Sequence, residues 1–245
     1  MAAGMIPAVE LLGVSVERGG RPVVRGLDMR VAPGSWFGLV GANGSGKTSI
    51  LRAICGRLPF AGGSCRLGGT ELIDDRLERA RRFGFAPPGE RLPDALRGRD
   101  LLELVAGDGA TAMARLGGLA PILGLDTLLD RWIGDCSAGM RQRLTLATAF
   151  AGGEAVVVLD EPFNWLDPVA TFDLRAALRA RVDQGLTLIT ALHDLGTLAA
   201  ACDAGLMLAD GRAVLALDQA TLRAAAREPA AFERQMIDRL RSADG

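Results

Sequence analysis

Residues 41–48 read GANGSGKT; they follow the apolar run Trp36–Val40 and open a segment of helical periodicity, Thr48–Cys55. Glycine lets such a loop curl until its backbone N–H groups point inward at phosphate oxygens. The helix that starts there adds the partial positive charge of its N-terminus. Lys47 is placed to reach the β- and γ-phosphates of a nucleotide, and the Thr48 hydroxyl to bind Mg2+. The strand–loop–helix setting marks Gly41, Asn43, Gly44, Ser45, Gly46, Lys47, Thr48 and Ser49 as a nucleotide-binding set. A nucleotide phosphate chain with Mg2+ is the ligand this pattern predicts.

A second stretch, VVVLDEP at 156–162, ends a buried run in two adjacent acids. Buried carboxylates are costly unless they serve a cation or a proton. Asp160 is therefore expected beside the loop, holding Mg2+ together with Thr48. Glu161 is expected to orient and deprotonate an attacking water, as a general base.

The composition fits this reading. The chain has 245 residues, 49% hydrophobic and 23% charged, enough to bury a sizeable core. Of 28 basic residues a single one, Lys47, is lysine, and His193 is the single histidine. The net charge of −1, without a long basic block, argues against nucleic acid as the main partner. Four scattered cysteines, Cys55, Cys65, Cys136 and Cys202, form no C-x-x-C pair and read as reduced thiols of a cytosolic protein. One histidine and no cysteine cluster exclude a structural zinc site. No window reaches 18 apolar residues free of charge or glycine clusters, and the N-terminus lacks a signal-peptide design.

Short apolar runs alternate with helix-period segments, which predicts an α/β fold with a mostly parallel sheet. Trp36–Val40, Ala155–Leu159 and Leu186–Ala191 read as strands covered on both faces. Val9–Val16, Val23–Val31 and Ser64–Leu72, interrupted by Gly-Gly and Pro-Gly pairs, read as an antiparallel portion. Between Arg97 and Ala151 the spacing predicts three helices, near 98–106, 110–123 and 138–151. From Asp218 the chain is Ala/Arg-rich, with Phe232, Met236, Ile237 and Leu240 on one helical stripe.

Three further elements make the sequence resemble the nucleotide-binding domain of ABC transporters, over about residues 8–216. CSAGM at 136–140, followed by RQRL, resembles the signature usually written LSGGQ, with its serine and second glycine at Ser137 and Gly139. NWLD at 164–167 resembles the D-loop and places its aspartate at Asp167; His193, after the run Leu186–Ala191, is placed like the switch histidine. Ser137 lies 90 residues after Lys47, Asp160 follows 23 later, and His193 33 after that. Ser137 precedes a helix, so it is either an ordinary N-cap or part of a second anion site. His193 is either a satisfied structural histidine or a γ-phosphate contact, and Asp167 is equally placed to cap a helix before Pro168.

The resemblance implies a P-loop NTPase (RecA-like) core with an antiparallel β portion and a helical subdomain. Residues 1–245 would form one ATPase domain: an α/β core over 1–87 and 153–217, a helical subdomain with the signature over 88–152, and a C-terminal helical tail over 218–245. It implies ATP hydrolysis with Glu161 and His193 at the reacting end. It further implies a head-to-tail dimer in which Ser137, Gly139 and Asp167 serve the nucleotide of the other subunit. Integral membrane subunits on separate chains would be the partners, at the inner face of the cell membrane, and the runs at 137–144 and 161–168 are similar to those of two-component exporters. Two other readings stand beside this one: a soluble ATPase acting on a cytosolic assembly partner, and a switch that closes but scarcely hydrolyses. A translation-factor role fits poorly with a single P-loop.

Three positions depart from the family pattern. Arg18 stands where an aromatic usually stacks on adenine; a guanidinium can lie flat on a base, and a solvated arginine is the other reading. Pro88 stands where a glutamine normally contacts Mg2+ and relays nucleotide state, with Glu90 as a candidate substitute. Ala138 replaces the first signature glycine.

Overall fold

The computed structural model describes residue 6 and residues 8–243. The elements follow in chain order. The first stretch holds β1 (Val9–Arg18), β2 (Arg21–Val31), β3 (Trp36–Val40), α1 (Lys47–Ile54), β4 (Gly62–Leu67) and β5 (Thr70–Glu71). Then come α2 (Arg76–Arg82), β6 (Phe83–Phe85), α3 (Gly98–Ala106), α4 (Gly109–Leu116), α5 (Leu119–Ile122) and α6 (Ala138–Ala151). The last part holds β7 (Val156–Asp160), α7 (Pro168–Asp183), β8 (Thr187–Leu192), α8 (Leu195–Ala201), β9 (Ala204–Ala209), β10 (Arg212–Leu217), α9 (Gln219–Arg227) and α10 (Pro229–Ala243).

Among the described residues there are two sheets. One is antiparallel, ordered β2-β1-β4-β5; the other has the order β10-β9-β3-β8-β7-β6. Within the larger sheet β9–β3–β8–β7–β6 pair in parallel, and β10 closes the edge antiparallel to β9. The α/β class with a parallel core and an antiparallel portion is thus the architecture expected from the sequence. Strand β3 lies between β8 and β9, which are far from it in sequence, so the loop after β3 emerges at a topological switch point.

The alternation of β3 shows why this strand is apolar throughout. Trp36 and Val40 face the core shared with α3–α9, whereas Phe37 and Leu39 face the core shared with α1 and the antiparallel sheet. Each such fully buried side chain contributes about 1.5–3 kcal/mol. Trp36 keeps its one polar atom satisfied, Nε1 donating to Thr190 Oγ1 at 2.9 Å.

Two details depart from the sequence expectation. The helix near 110–123 is two helices, because Gly117 at φ 48 ends α4 in a conformation that suits glycine. The β9–β10 hairpin was not foreseen: Ala- and Gly-containing runs such as AGLMLA carry little β-branched signal, and burial supplies what propensity does not. In the tail, Phe232 and Met236 are buried. The side chains of Ile237 and Leu240 lie outside the described residues, as do residues 1–5, 7, 244 and 245 of the expected domain limits.

Arg79, on α2, ties α1 to the segment that follows β5. Fully buried, it donates from Nε to Ala53 O at 3.1 Å and from Nη1 to the carbonyls of Leu72 and Ile73, and it lies over the Phe60 ring. All four cysteines are free and buried. Burial pushes the Cys55, Cys136 and Cys202 thiols up, and that of Cys65 to about 11.

Helix α6 lies directly on the sheet at Gly84, where a methyl group would overlap the Ala149 carbonyl. Gly84→Ala should therefore lower the thermal midpoint by about 5 °C, the scale of ~1–3 kcal/mol of overpacking. Gly118→Ala, at ordinary φ with open space, should leave the midpoint in place. Equal midpoints for both variants would show that α6 can move off the sheet freely.

Candidate nucleotide site

The loop after β3 is built on positive φ at Gly41 (152°), Gly44 (84°) and Gly46 (104°). Space is as restrictive as angle: a Cβ at Gly46 would stand 2.8 Å from Val23 O, and one at Gly41 would strike Leu208 O. The loop is thereby pressed against β2 and β9. Lys47, 4% exposed, turns its ammonium back across the loop and donates to Gly41 O at 2.7 Å and Ala42 O at 3.1 Å. Burial lowers its pKa, and Glu161 and Asp160 push it back up. Ser45 Oγ is buried with no hydrogen-bond partner among the described residues. A desolvated ammonium and an orphaned hydroxyl in a ring of backbone amides suit a polyanion.

Strand β7 ends beside this loop. Burial raises the pKa of Asp160, while a hydrogen bond from Thr48 pulls the other way. Its Oδ1 is buried without a partner among the described residues. An unpartnered carboxylate oxygen and an adjacent hydroxyl are the hard oxygen donors that Mg2+ takes, so the residues fit that ion. Among the described residues no group of three or more His, Cys, Asp or Glu side chains could hold a metal alone. The rest of such a shell must come from phosphate and water.

Glu161 has a left-handed backbone, φ 55°, which costs a non-glycine residue about 1–3 kcal/mol. Its N–H donates to Ala191 O at 3.2 Å, which fixes it against β8. Its Oε2 accepts from Asn164 Nδ2 at 2.8 Å and meets His193 Nε2 at 2.9 Å. Strand β8 delivers His193 at its end. Asp194, next in sequence, caps α8 by accepting from the N–H groups of Gly196 and Thr197. Burial alone would raise the Asp194 carboxyl, but the Thr197 and Gly196 donors hold it below the usual range.

The structure thus brings Lys47, Thr48, Asp160, Glu161 and His193 to one end of the parallel strands. Ser137, Gly139 and Asp167 gather elsewhere, around the start of α6. Ser137 Oγ caps α6 by accepting from Met140 N at 3.3 Å, and Asp167 Oδ1 caps α7 by accepting from Ala170 N at 2.9 Å. Arg143 joins them with Nη2 3.6 Å from Asp167 Oδ2, and a Cβ on Gly139 would stand 2.8 Å from Trp165 O. Among the described residues no hydrogen bond or ion pair links Ser137 or Gly139 to the loop at 41–48.

A cavity of about 650 Å3 runs from Thr48 and Asp160 to the start of α6. Pro88 and Glu90 both lie on its wall. Arg18 is exposed at the tip of β1, opposite Arg21 in the hairpin register. Sequence reasoning did not single out Asn164 and Gln142. Asn164 stands three residues after Glu161, a spacing a tight turn can close, and Pro162 at the second position is the turn signal that could have found it. Gln142 reaches Pro162 O at 3.2 Å from a different element, which no local pattern reveals.

The fold and this end of its strands define a P-loop nucleotide-binding protein with a carboxylate pair facing the phosphate loop. A family model described as ABC transporter matches residues 24–164. The chain is 33% identical over 214 residues to the Nod factor export ATP-binding protein I of Burkholderia orbicola, covering 85% of this chain and 70% of that protein. It is 35% identical over 203 residues to ATP-binding cassette sub-family A member 7 of Mus musculus. That match takes in 80% of this chain but 9% of the mouse protein. A solved ATP-binding subunit of an ABC transporter superposes with a TM-score of 0.80 at 25% identity, over 92% of this chain and 98% of that one. The chain belongs to the ABC transporter family and is one of its ATP-binding ATPase cassettes. Among the described residues no helix is long and apolar enough to cross a membrane.

Because the Asp160 pKa is raised by folding, its ionisation destabilises the folded chain. That cost is absent below the unfolded pKa and grows as pH rises through the folded one. Without nucleotide or metal, Asp160→Asn should raise the thermal midpoint at neutral pH by on the order of 2 °C. The gain should shrink toward about pH 4. A variant less stable than the parent at neutral pH would mean that the carboxylate is already satisfied.

Proposed function

We propose that this chain binds ATP between its own loop at 41–48 and the Ser137–Gly139 turn of a second copy, and hydrolyses it to drive transport through membrane-spanning subunits on separate chains. The observation that carries the reading is the setting of Glu161, a carboxylate aimed by Asn164 and His193 next to Asp160 and Thr48. Phosphate oxygens would replace the Gly41 and Ala42 carbonyls on Lys47, which already sits at the centre of the loop. Mg2+ held by Thr48 and Asp160 would supply charge neutralisation across the β- and γ-phosphates. Glu161 would take the proton of the attacking water, and His193, exposed enough to leave Glu161, would donate to the γ-phosphate.

The second surface supports the dimer. Ser137 and the N–H groups that open α6 would form an anion-binding helix start that, among the described residues, makes no hydrogen bond to the loop at 41–48. Asp167 would stand at the same interface. The 33% identical relative bears a name that includes export and ATP-binding, which favours outward transport. A position peripheral to the inner face of a membrane follows from that partnership. One observation favours the weakly hydrolysing switch instead, namely Pro88 on the wall of the cavity.

Glu161→Gln should lower the hydrolysis rate by about 10²–10⁴-fold while leaving labelled-nucleotide affinity unchanged. Undiminished turnover in that variant would remove Glu161 as the base. In a mixed dimer, Ser137→Ala in one chain should silence the nucleotide held by the other chain's Lys47. A defect confined to the mutated chain's own Lys47 site would rule out the head-to-tail arrangement.

A further inference from the structure

Among the described residues, Glu161, Trp165 and Asp210 are the non-glycine positions with positive φ, and two of them bound the turn 161–165. Glu161 also precedes Pro162, whose ring narrows the backbone choices of its neighbour. A side chain on such a backbone points where the constraints around its peptide place it. Inside the turn, Asn164 N donates to Glu161 O at 3.2 Å. From outside it, the amide of Gln142 donates to Glu161 O at 3.4 Å and to Pro162 O at 3.2 Å.

Gln142 stands on α6, five residues after Ser137, about 7.5 Å along the helix axis. The other end of the turn rests on the same helix, since Trp165 O packs against Gly139 with no room for a side chain. Both ends of the Glu161 turn are therefore seated on the first two turns of the helix whose N-terminus meets the second copy's nucleotide. Gln142 and Pro88 also line the same cavity.

We infer that Gln142 is a positioning residue that makes the aim of Glu161 depend on whether the start of α6 is engaged. An anion captured at Ser137 shifts α6, and the Gln142 amide carries that shift to the peptide bearing the base. Nucleotide in one site of the dimer thereby switches on hydrolysis in the other. The inference rests on Glu161 being the base, and adds a route by which that base is controlled.

The test compares Gln142→Leu and the isosteric Gln142→Glu, which as a carboxylate has no N–H to give. Both should lower kcat by about tenfold or more, with KM and the affinity for labelled ATP unchanged. In the parent, pairing a chain with a Lys47→Ala copy should cut turnover at its intact site, because its own α6 start then meets no nucleotide. In the Gln142 variants the per-site rate should be the same whether the second copy binds nucleotide or not. A variant that keeps the parent's kcat, or that still responds to an empty neighbour, overturns the inference. So does a rate loss matched by a loss of affinity and of thermal midpoint, which marks a purely structural residue. Should Gln142→Leu fail to fold, Gln142→Glu decides alone. Full activity of Glu161→Gln is a separate result that removes the base assignment itself.

Discussion

Charge held out of water without enough protein partners is the constraint on which this structure turns. Lys47 is buried and leans on two carbonyls of its own loop, and among the described residues neither one Asp160 oxygen nor the Ser45 hydroxyl finds a partner. Buried polar groups short of partners and gathered at one loop suit a ligand that completes them. The strand order puts the loop at the switch point, and close contacts at Gly41 and Gly46 press it onto its neighbours. The hydrogen bond to Ala191 ties the base to β8.

How much of this was legible beforehand depended on whether the cause was local. The loop at 41–48 could be read because its glycines are demanded by its own angles. The strands Trp36–Val40 and Thr187–Leu192 could be read to within a residue because burial on both faces leaves only apolar side chains. The β9–β10 hairpin could not be read, since its alanines and glycines are there to fit against α8 and β3 and not to favour a strand. Within the site, the same divide separates Asp160 from Gln142. An acid that ends a buried run announces itself, whereas an amide that grips a distant peptide is visible only once the chain has folded.

The two helix starts at Ser137 and Asp167 show how one geometry can hold two meanings. Each is an N-cap with its side chain accepting a backbone N–H, and the sequence alternatives at both positions included that plain role. Capping by a serine still leaves other first-turn N–H groups facing outward. The cap thus orders the very donors an anion would use, and the structural and binding roles are compatible.

Seen by a reagent in solution, the molecule is chemically quiet. Its one ε-amino group is folded into the phosphate loop, and its four thiols are buried and shifted away from the reactive thiolate. The imidazole of His193, 45% exposed, is a nitrogen nucleophile within reach of solvent. Among the described lysine, cysteine and histidine side chains, the one open to an electrophile therefore lies at the phosphate site.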